Sequence, residues 1–90
     1  MATTKEFSDD EVGYRAWLNR NPEGYVVNQR WGTYLRLHRA RCRFVDLPGT
    51  KHTNPDARST KVCSDDRAAL DIWVTAKYGR PPDPCGSCKP

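Results

Sequence analysis

The sequence predicts one small α+β domain, residues 1–90, in which a short antiparallel β-sheet is combined with two helices. Two segments begin with helix-start residues and continue with helical periodicity, and β-rich runs lie between them. No internal repeat or low-complexity linker divides the chain. A domain of this size gains only marginal stability from its hydrophobic core, so we expect an additional staple.

The first helix is predicted from Asp9 to Arg20. Ser8 and Glu11 have the spacing of a capping box, and acidic residues suit the positive end of a helix dipole. Asn21 and Pro22 end the segment. The predicted buried stripe consists of Val12, Ala16 and Trp17.

A β-hairpin is predicted next, with strands over residues 24–29 and 33–38 on either side of a turn at 30–32. Alternation along the second strand places Leu35 and Leu37 on one face of the sheet. The opposite face then holds Tyr34, Arg36 and His38.

The second half of the chain predicts a loop, a strand and a helix. Residues 47–60 are rich in Pro, Gly, Asn and Thr, which favours an exposed loop, and residues 60–63 are predicted to form a short third strand. The second helix is predicted from Ser64 to Tyr78, before Gly79. Its apolar side comprises Leu70, Trp73, Val74 and Lys77, widened by Ala69, Ile72 and Ala76.

Two pairs of metal-ligating residue types lie far apart in the sequence. Cys85 and Cys88 flank a two-residue turn, and His38 and Cys42 lie at the end of the hairpin. Structural zinc takes four nitrogen or sulfur ligands, and C-x2-C is a typical spacing for two of them. The sequence therefore predicts a zinc site at His38, Cys42, Cys85 and Cys88, with Gly86 easing the tight turn.

Cys63 is a fifth possible donor and leaves alternatives open. It follows Val62, which favours a buried inert thiol. Instead it could replace His38 in a four-cysteine site, or lie beside the metal as a reactive thiol.

Disulfides are a further alternative for all four cysteines. Residues 1–10 are polar and no apolar run marks a signal peptide or a membrane span, so we expect a reducing cytoplasm, where metal binding is favoured over disulfides.

The formal charge of +4 is concentrated in one part of the chain. Between residues 24 and 45 there are five arginines and no acidic residue. Arginine forks suit phosphate oxygens, and aromatic residues within such a region can stack on bases. The predicted nucleic-acid contacts are Arg30, Trp31, Tyr34, Arg36, Arg39, Arg41 and Arg43.

The segment from Tyr34 to Phe44, a following helix, and Pro84-Cys-Gly-Ser-Cys-Lys-Pro90 together resemble the Ada-like zinc domain. This resemblance implies that the two ligand pairs bind zinc and that the basic surface approaches the DNA backbone. The methyl-accepting position of that family is a cysteine, whereas here it is His38, so alkyl transfer is not implied. Two short segments, Gly-Tyr-Val-Val-Asn and Leu-His-Arg-Ala-Arg-Cys, also resemble small zinc modules attached to restriction-type or nuclease proteins.

The main functional hypothesis is therefore a zinc-stabilised module that binds nucleic acid, DNA in preference to RNA, and that senses modified DNA or targets a nuclease. A second hypothesis is a zinc-held adaptor that contacts a protein partner, or a larger parent protein, through Trp31, Tyr34 and the 47–60 loop. A third is a thiol-based alkyl-accepting or redox protein. We expect no enzyme, because the two histidines, His38 and His52, complete no catalytic motif.

Overall fold

The computed structural model describes residues 4–30, 34–42, 45 and 59–90. These residues form an α+β fold, as predicted. No helix among them is long and apolar enough to cross a membrane. The elements in chain order are β1 (Thr4–Ser8), α1 (Glu11–Arg20), β2 (Tyr25–Arg30), β3 (Tyr34–Arg39), β4 (Ser59–Ser64), α2 (Arg67–Tyr78) and β5 (Asp83–Pro84).

The strands form one mixed sheet in the order β1-β4-β2-β3-β5. The predicted hairpin is confirmed as β2 and β3, with Val26 opposite His38, while residues 31–33 of its turn lie outside the described residues. The predicted third strand is β4, which lies between β1 and β2. The two-residue strand β5 adds a short parallel pairing beside β3.

The sheet has a hydrophobic cluster on each face, because successive strand residues point to opposite sides. On the face that we call the α1 face, Val26 and Cys63 pack with Tyr14 and Trp17 of α1. The other face, the α2 face, is covered by α2. Its buried residues are Val27, Leu35, Leu37, Val62, Leu70 and Val74.

The start of α1 differs from the capping box that the sequence predicts. Asp10 is the N-cap, and its Oδ1 accepts a hydrogen bond from the Gly13 amide at 2.9 Å. Ser8 belongs instead to β1, where its hydroxyl bonds to that of Thr60. A carboxylate one residue before the helix satisfies the same free amide groups that the serine was expected to cap.

The predicted stripe of α1 is wrong in two of its three residues. Val12 is 83% exposed and Ala16 is also exposed, whereas Trp17 is buried as predicted. The helix buries Tyr14, Trp17 and Leu18, which shifts its buried side by about half a turn.

In α2 the buried residues are Leu70 and Val74, as predicted, but Ile72 is 71% exposed. The helix begins after Asp66, whose Oδ1 accepts a hydrogen bond from the Ala69 amide. It ends at Gly79, which has the left-handed conformation, with φ of 83°. This geometry turns the chain toward β5 and the C-terminal cysteine turn.

Candidate metal centre

Four potential ligands from distant parts of the sequence meet at the end of the hairpin. His38 is near the end of β3, Cys42 lies in the turn after it, and Cys85 and Cys88 lie in the turn after β5. The Cys85 amide donates a hydrogen bond to the Leu37 carbonyl at 2.8 Å, which holds the second turn against β3.

The four donor atoms all lie within 4.8 Å of one another. A tetrahedral zinc with bonds of about 2.0–2.3 Å places its ligand atoms roughly 3.5–3.8 Å apart, so small adjustments bring all four onto one ion. His38, Cys42 and Cys85 are buried and Cys88 is half-buried. The cluster can therefore hold a metal ion.

The imidazole of His38 has the protonation state that a ligand needs. Burial, together with the nearby positive charges of Lys61 and Arg36, lowers its pKa from 6.5 to about 4. The ring is therefore neutral at pH 7. Its buried Nδ1 atom has no hydrogen-bond partner among the described residues, and a metal ion would satisfy an imidazole nitrogen at this position.

Backbone amides support the two cysteines of the C-terminal turn. The Ser87 amide donates to Cys85 Sγ at 3.4 Å, and the Arg39 amide donates to Cys88 Sγ at 3.3 Å. Burial raises the pKa of Cys85, but hydrogen bonds from the Cys88 and Ser87 amides and from the Cys88 and Cys42 side chains outweigh it, so this pKa lies below its ordinary value. Such bonds favour the thiolate form that binds metals.

Cys63 is not part of this cluster. The sheet register places Val26 between Cys63 and His38, so their strands are separated by about 10 Å. Cys63 is fully buried, and burial raises its pKa far above the usual value for a thiol, although the charge of Lys61 acts in the opposite direction. None of the four cysteines forms a disulfide. This placement favours the buried, unreactive thiol among the alternatives for Cys63.

Three of the predicted nucleic-acid contacts share the α1 face of the hairpin. Arg30 pairs with Tyr34 across the two strands, and Arg36 lies two residues further along β3. The Arg36 guanidinium lies over the Tyr34 ring, 5.7 Å from its centroid, and Tyr34 is 39% exposed. We call Arg30, Tyr34 and Arg36 the hairpin face.

The other predicted contacts are distributed differently. Arg39 donates hydrogen bonds from Nε to the Cys88 carbonyl at 3.1 Å and from Nη2 to the Lys89 carbonyl at 3.0 Å. Arg41 forms an exposed ion pair with Glu23. Trp31 and Arg43 lie outside the described residues. The structure therefore separates Arg39 and Arg41 from the hairpin face.

A buried polar pair beside the hairpin face was not predicted. Lys61 of β4 is fully buried, and its Nζ donates a hydrogen bond to Asn28 Oδ1 of β2 at 2.9 Å. Asn28 pairs with Lys61 of β4 on one side and with Arg36 of β3 on the other. Lys61, Asn28 and Arg36 therefore form a row across three strands. The signal in the sequence is slight: Asn28 directly follows Val26 and Val27, and Lys61 directly precedes Val62 and Cys63.

Comparisons of the chain with models of protein families, with curated proteins and with solved structures found no match. The resemblance to the Ada-like zinc domain therefore stays a prediction.

Proposed function

We propose that this protein is a zinc-stabilised module that binds DNA through the hairpin face. The observation that supports the proposal is the side-by-side placement of Arg30, Tyr34 and Arg36 on one face of the hairpin. The same hairpin carries His38 of the metal cluster, so a bound metal would fix the surface that contacts DNA.

The choice of zinc rests on the ligand types. Three cysteines and one histidine form a soft donor set, and tetrahedral sites of this composition are typical of structural zinc. Four protein ligands leave no open position for a substrate or an activated water. The proposed role of the metal is therefore to hold the C-terminal turn against the hairpin.

The choice of DNA rests on charge and on an exposed ring. Arg30 and Arg36 are diagonal neighbours on adjacent strands, about 7–8 Å apart at their backbones, and both can reach phosphate oxygens of one backbone. Lys61 is buried in the neighbouring strand β4, where it bonds to Asn28, and it adds positive charge beside the two arginines. The Tyr34 ring, with Arg36 over it, offers a platform for a base or a sugar.

Fluorescence anisotropy with a labelled duplex of about 20 base pairs tests this proposal. The double variant Arg30→Ala, Arg36→Ala is expected to weaken binding at least tenfold at 50 mM salt. Because each phosphate contact contributes about 0.9 to the slope of log K against log salt, the slope should fall by about two. Zinc content, measured by elemental analysis, and circular dichroism should match those of the parent protein.

The matched control is Arg20→Ala, which removes an exposed arginine from α1, on a different element. It should reduce affinity much less than the double variant. Equal affinity of the double variant and the parent at 50 mM salt would refute the proposed DNA surface, and equal losses in the control and the double variant would reduce it to non-specific attraction by net charge.

A further inference from the structure

A groove of about 530 Å³ lies where α1 passes over the outermost strand of the sheet. Phe7 and Trp17 contribute aromatic surface to it, and both belong to the hydrophobic cluster on the α1 face. It is a different surface from the hairpin face. Its lining residues are Lys5, Phe7, Gly13, Ala16, Trp17, Arg20, Asn21 and Asp65.

The strand beside this groove is an edge strand. Within the described part of the chain, β1 has β4 as its single strand neighbour. Alternate backbone N–H and C=O groups of Thr4–Ser8 therefore point away from the sheet and can pair with another strand. An edge of this kind is the surface used when an extended peptide is added to a sheet.

The helix leaves room for side chains of such a peptide. Gly13, Ala16, Trp17 and Arg20 follow one another at helical spacing and line the same side of α1. Ala16 is small and exposed, whereas the Asp10 carboxylate occupies the space beside Gly13. An apolar side chain that enters from an added strand would contact Phe7 beneath Ala16.

The charges of the groove favour an acidic partner. Lys5 and Arg20 line it, and neither forms an ion pair with another described residue. Asp65 is the one described carboxylate in the lining, so the positive charges outnumber it. A strand that alternates apolar and acidic residues matches this surface on both counts, because its apolar residues face the groove while its acidic residues approach the cations.

We propose that β1 accepts an extended acidic segment of a partner protein as an additional strand, with its apolar side chains in the groove beneath α1. This interaction is separate from DNA binding. The occupant is recognised by its backbone and by alternating apolar and acidic side chains, whereas an oligonucleotide cannot form the strand ladder that β1 leaves open.

The test begins with two matched libraries of ten-residue peptides that are screened against the zinc-loaded chain. In both, Val, Ile, Leu or Phe occupies the even positions, and the odd positions are Asp or Glu in one library and Lys or Arg in the other. The acidic library should yield binders and the basic library should not. The tightest acidic peptide should shift the backbone amide resonances of Thr4–Ser8 in NMR spectra.

Two changes separate strand addition from simple charge attraction. N-methylation of alternate residues of the peptide, on the side that faces β1, should abolish binding. Ala16→Glu should weaken it at least tenfold by filling the groove with negative charge, and Val12→Glu, which adds the same charge at an 83% exposed position of the same helix, should leave it nearly unchanged. Both positions are on the helix surface, so both variants are expected to fold.

Cross-tests keep this proposal distinct from DNA binding. The Arg30→Ala, Arg36→Ala variant should retain the peptide, and Arg20→Ala should lose affinity for the peptide but retain duplex DNA. The proposal is overturned if no acidic peptide binds, if the selected peptide tolerates both N-methylation and Ala16→Glu, or if a ten-nucleotide thymidine oligomer displaces it from the same β1 amides.

Discussion

At the scale of single residues, Arg39 was predicted to contact DNA, but its side chain bonds to the C-terminal turn. It lies among five arginines that together predict a DNA surface. In the structure its guanidinium donates to two carbonyls of the C-terminal turn, and its amide donates to Cys88 Sγ. We therefore assign the Arg39 side chain to positioning the C-terminal turn with its two candidate metal ligands.

Replacing Arg39 should weaken metal binding. Arg39→Ala removes both side-chain hydrogen bonds but keeps the hydrogen bond from the Arg39 amide to Cys88 Sγ. Zinc affinity should therefore fall by about tenfold, which is the lower end of the effect expected for residues that orient ligands. Arg39→Lys should recover only part of this loss, because an ammonium lacks the fork that reaches two carbonyls. Competition with a colorimetric chelator measures the affinity.

The control for this prediction is Arg41→Ala. Arg41 carries the same charge two residues away, and its exposed ion pair with Glu23 is worth at most about 1 kcal/mol. It should leave zinc affinity unchanged. If Arg39→Ala weakened DNA binding while zinc affinity stayed at the parent value, Arg39 would belong with the DNA contacts after all.

At the scale of elements, the sequence was informative where burial is one-sided. Leu35 and Leu37 alternate with polar residues, and the strand they predict is present as β3. The strand β1 was missed because it lies at an edge of the sheet, where a strand needs little apolar surface. Phe7 is its one aromatic residue. Ile72 misled the prediction for α2, because an exposed isoleucine looks identical to a buried one in a single sequence.

The two glycines near the C-terminal turn differ in what their backbone requires. Gly79 ends α2 with φ of 83°, and a Cβ there would meet no atom within 4 Å, so Gly79→Ala should cost about 1–2 kcal/mol of unfolding free energy through conformation alone. Gly86 was expected to need the same freedom, but its φ is not in the left-handed region and a Cβ there is also unobstructed.

Gly86→Ala is therefore the matched control, with an expected change below about 0.5 kcal/mol and unchanged zinc content. Urea unfolding of the zinc-loaded variants gives both values. A larger cost for Gly86→Ala than for Gly79→Ala would show that the cysteine turn is more constrained than its backbone angles indicate.

At the scale of the whole molecule, the four residues of the metal cluster bring the C-terminal turn and the end of the hairpin together. Among the described residues, the strand β5 contributes only two residues and pairs with β3 alone. Cys42 and Cys85 belong at the same time to the hydrophobic cluster on the α1 face. The distant pairing of His38–Cys42 with Cys85–Cys88 could be anticipated from ligand types, but the position of Lys61 and Asn28 could not, because it depends on strand order.

Removal of the metal should destabilise the domain strongly. Structural zinc contributes on the order of 10 kcal/mol to folding, and one kcal/mol corresponds to about 4–8 °C in a domain of this size, so a strong chelator should lower the melting temperature by more than 20 °C or unfold the chain. Native mass spectrometry should show one zinc in the untreated protein and none afterwards. Cys63→Ala should retain the zinc, whereas Cys88→Ala should lose it.

The same linkage fixes the direction of the pH dependence. Metal ligands bind in their deprotonated form, so protons compete with zinc and its stabilisation must decrease as pH falls. Because the pKa of His38 is lowered from 6.5 to about 4, its imidazole stays available over most of that range, and protonation of the three thiolates should control the release. The melting temperatures of zinc-loaded and chelated protein should therefore converge between pH 7.5 and pH 5. A difference that stayed constant over this interval would mean that the cysteines do not bind the stabilising ion.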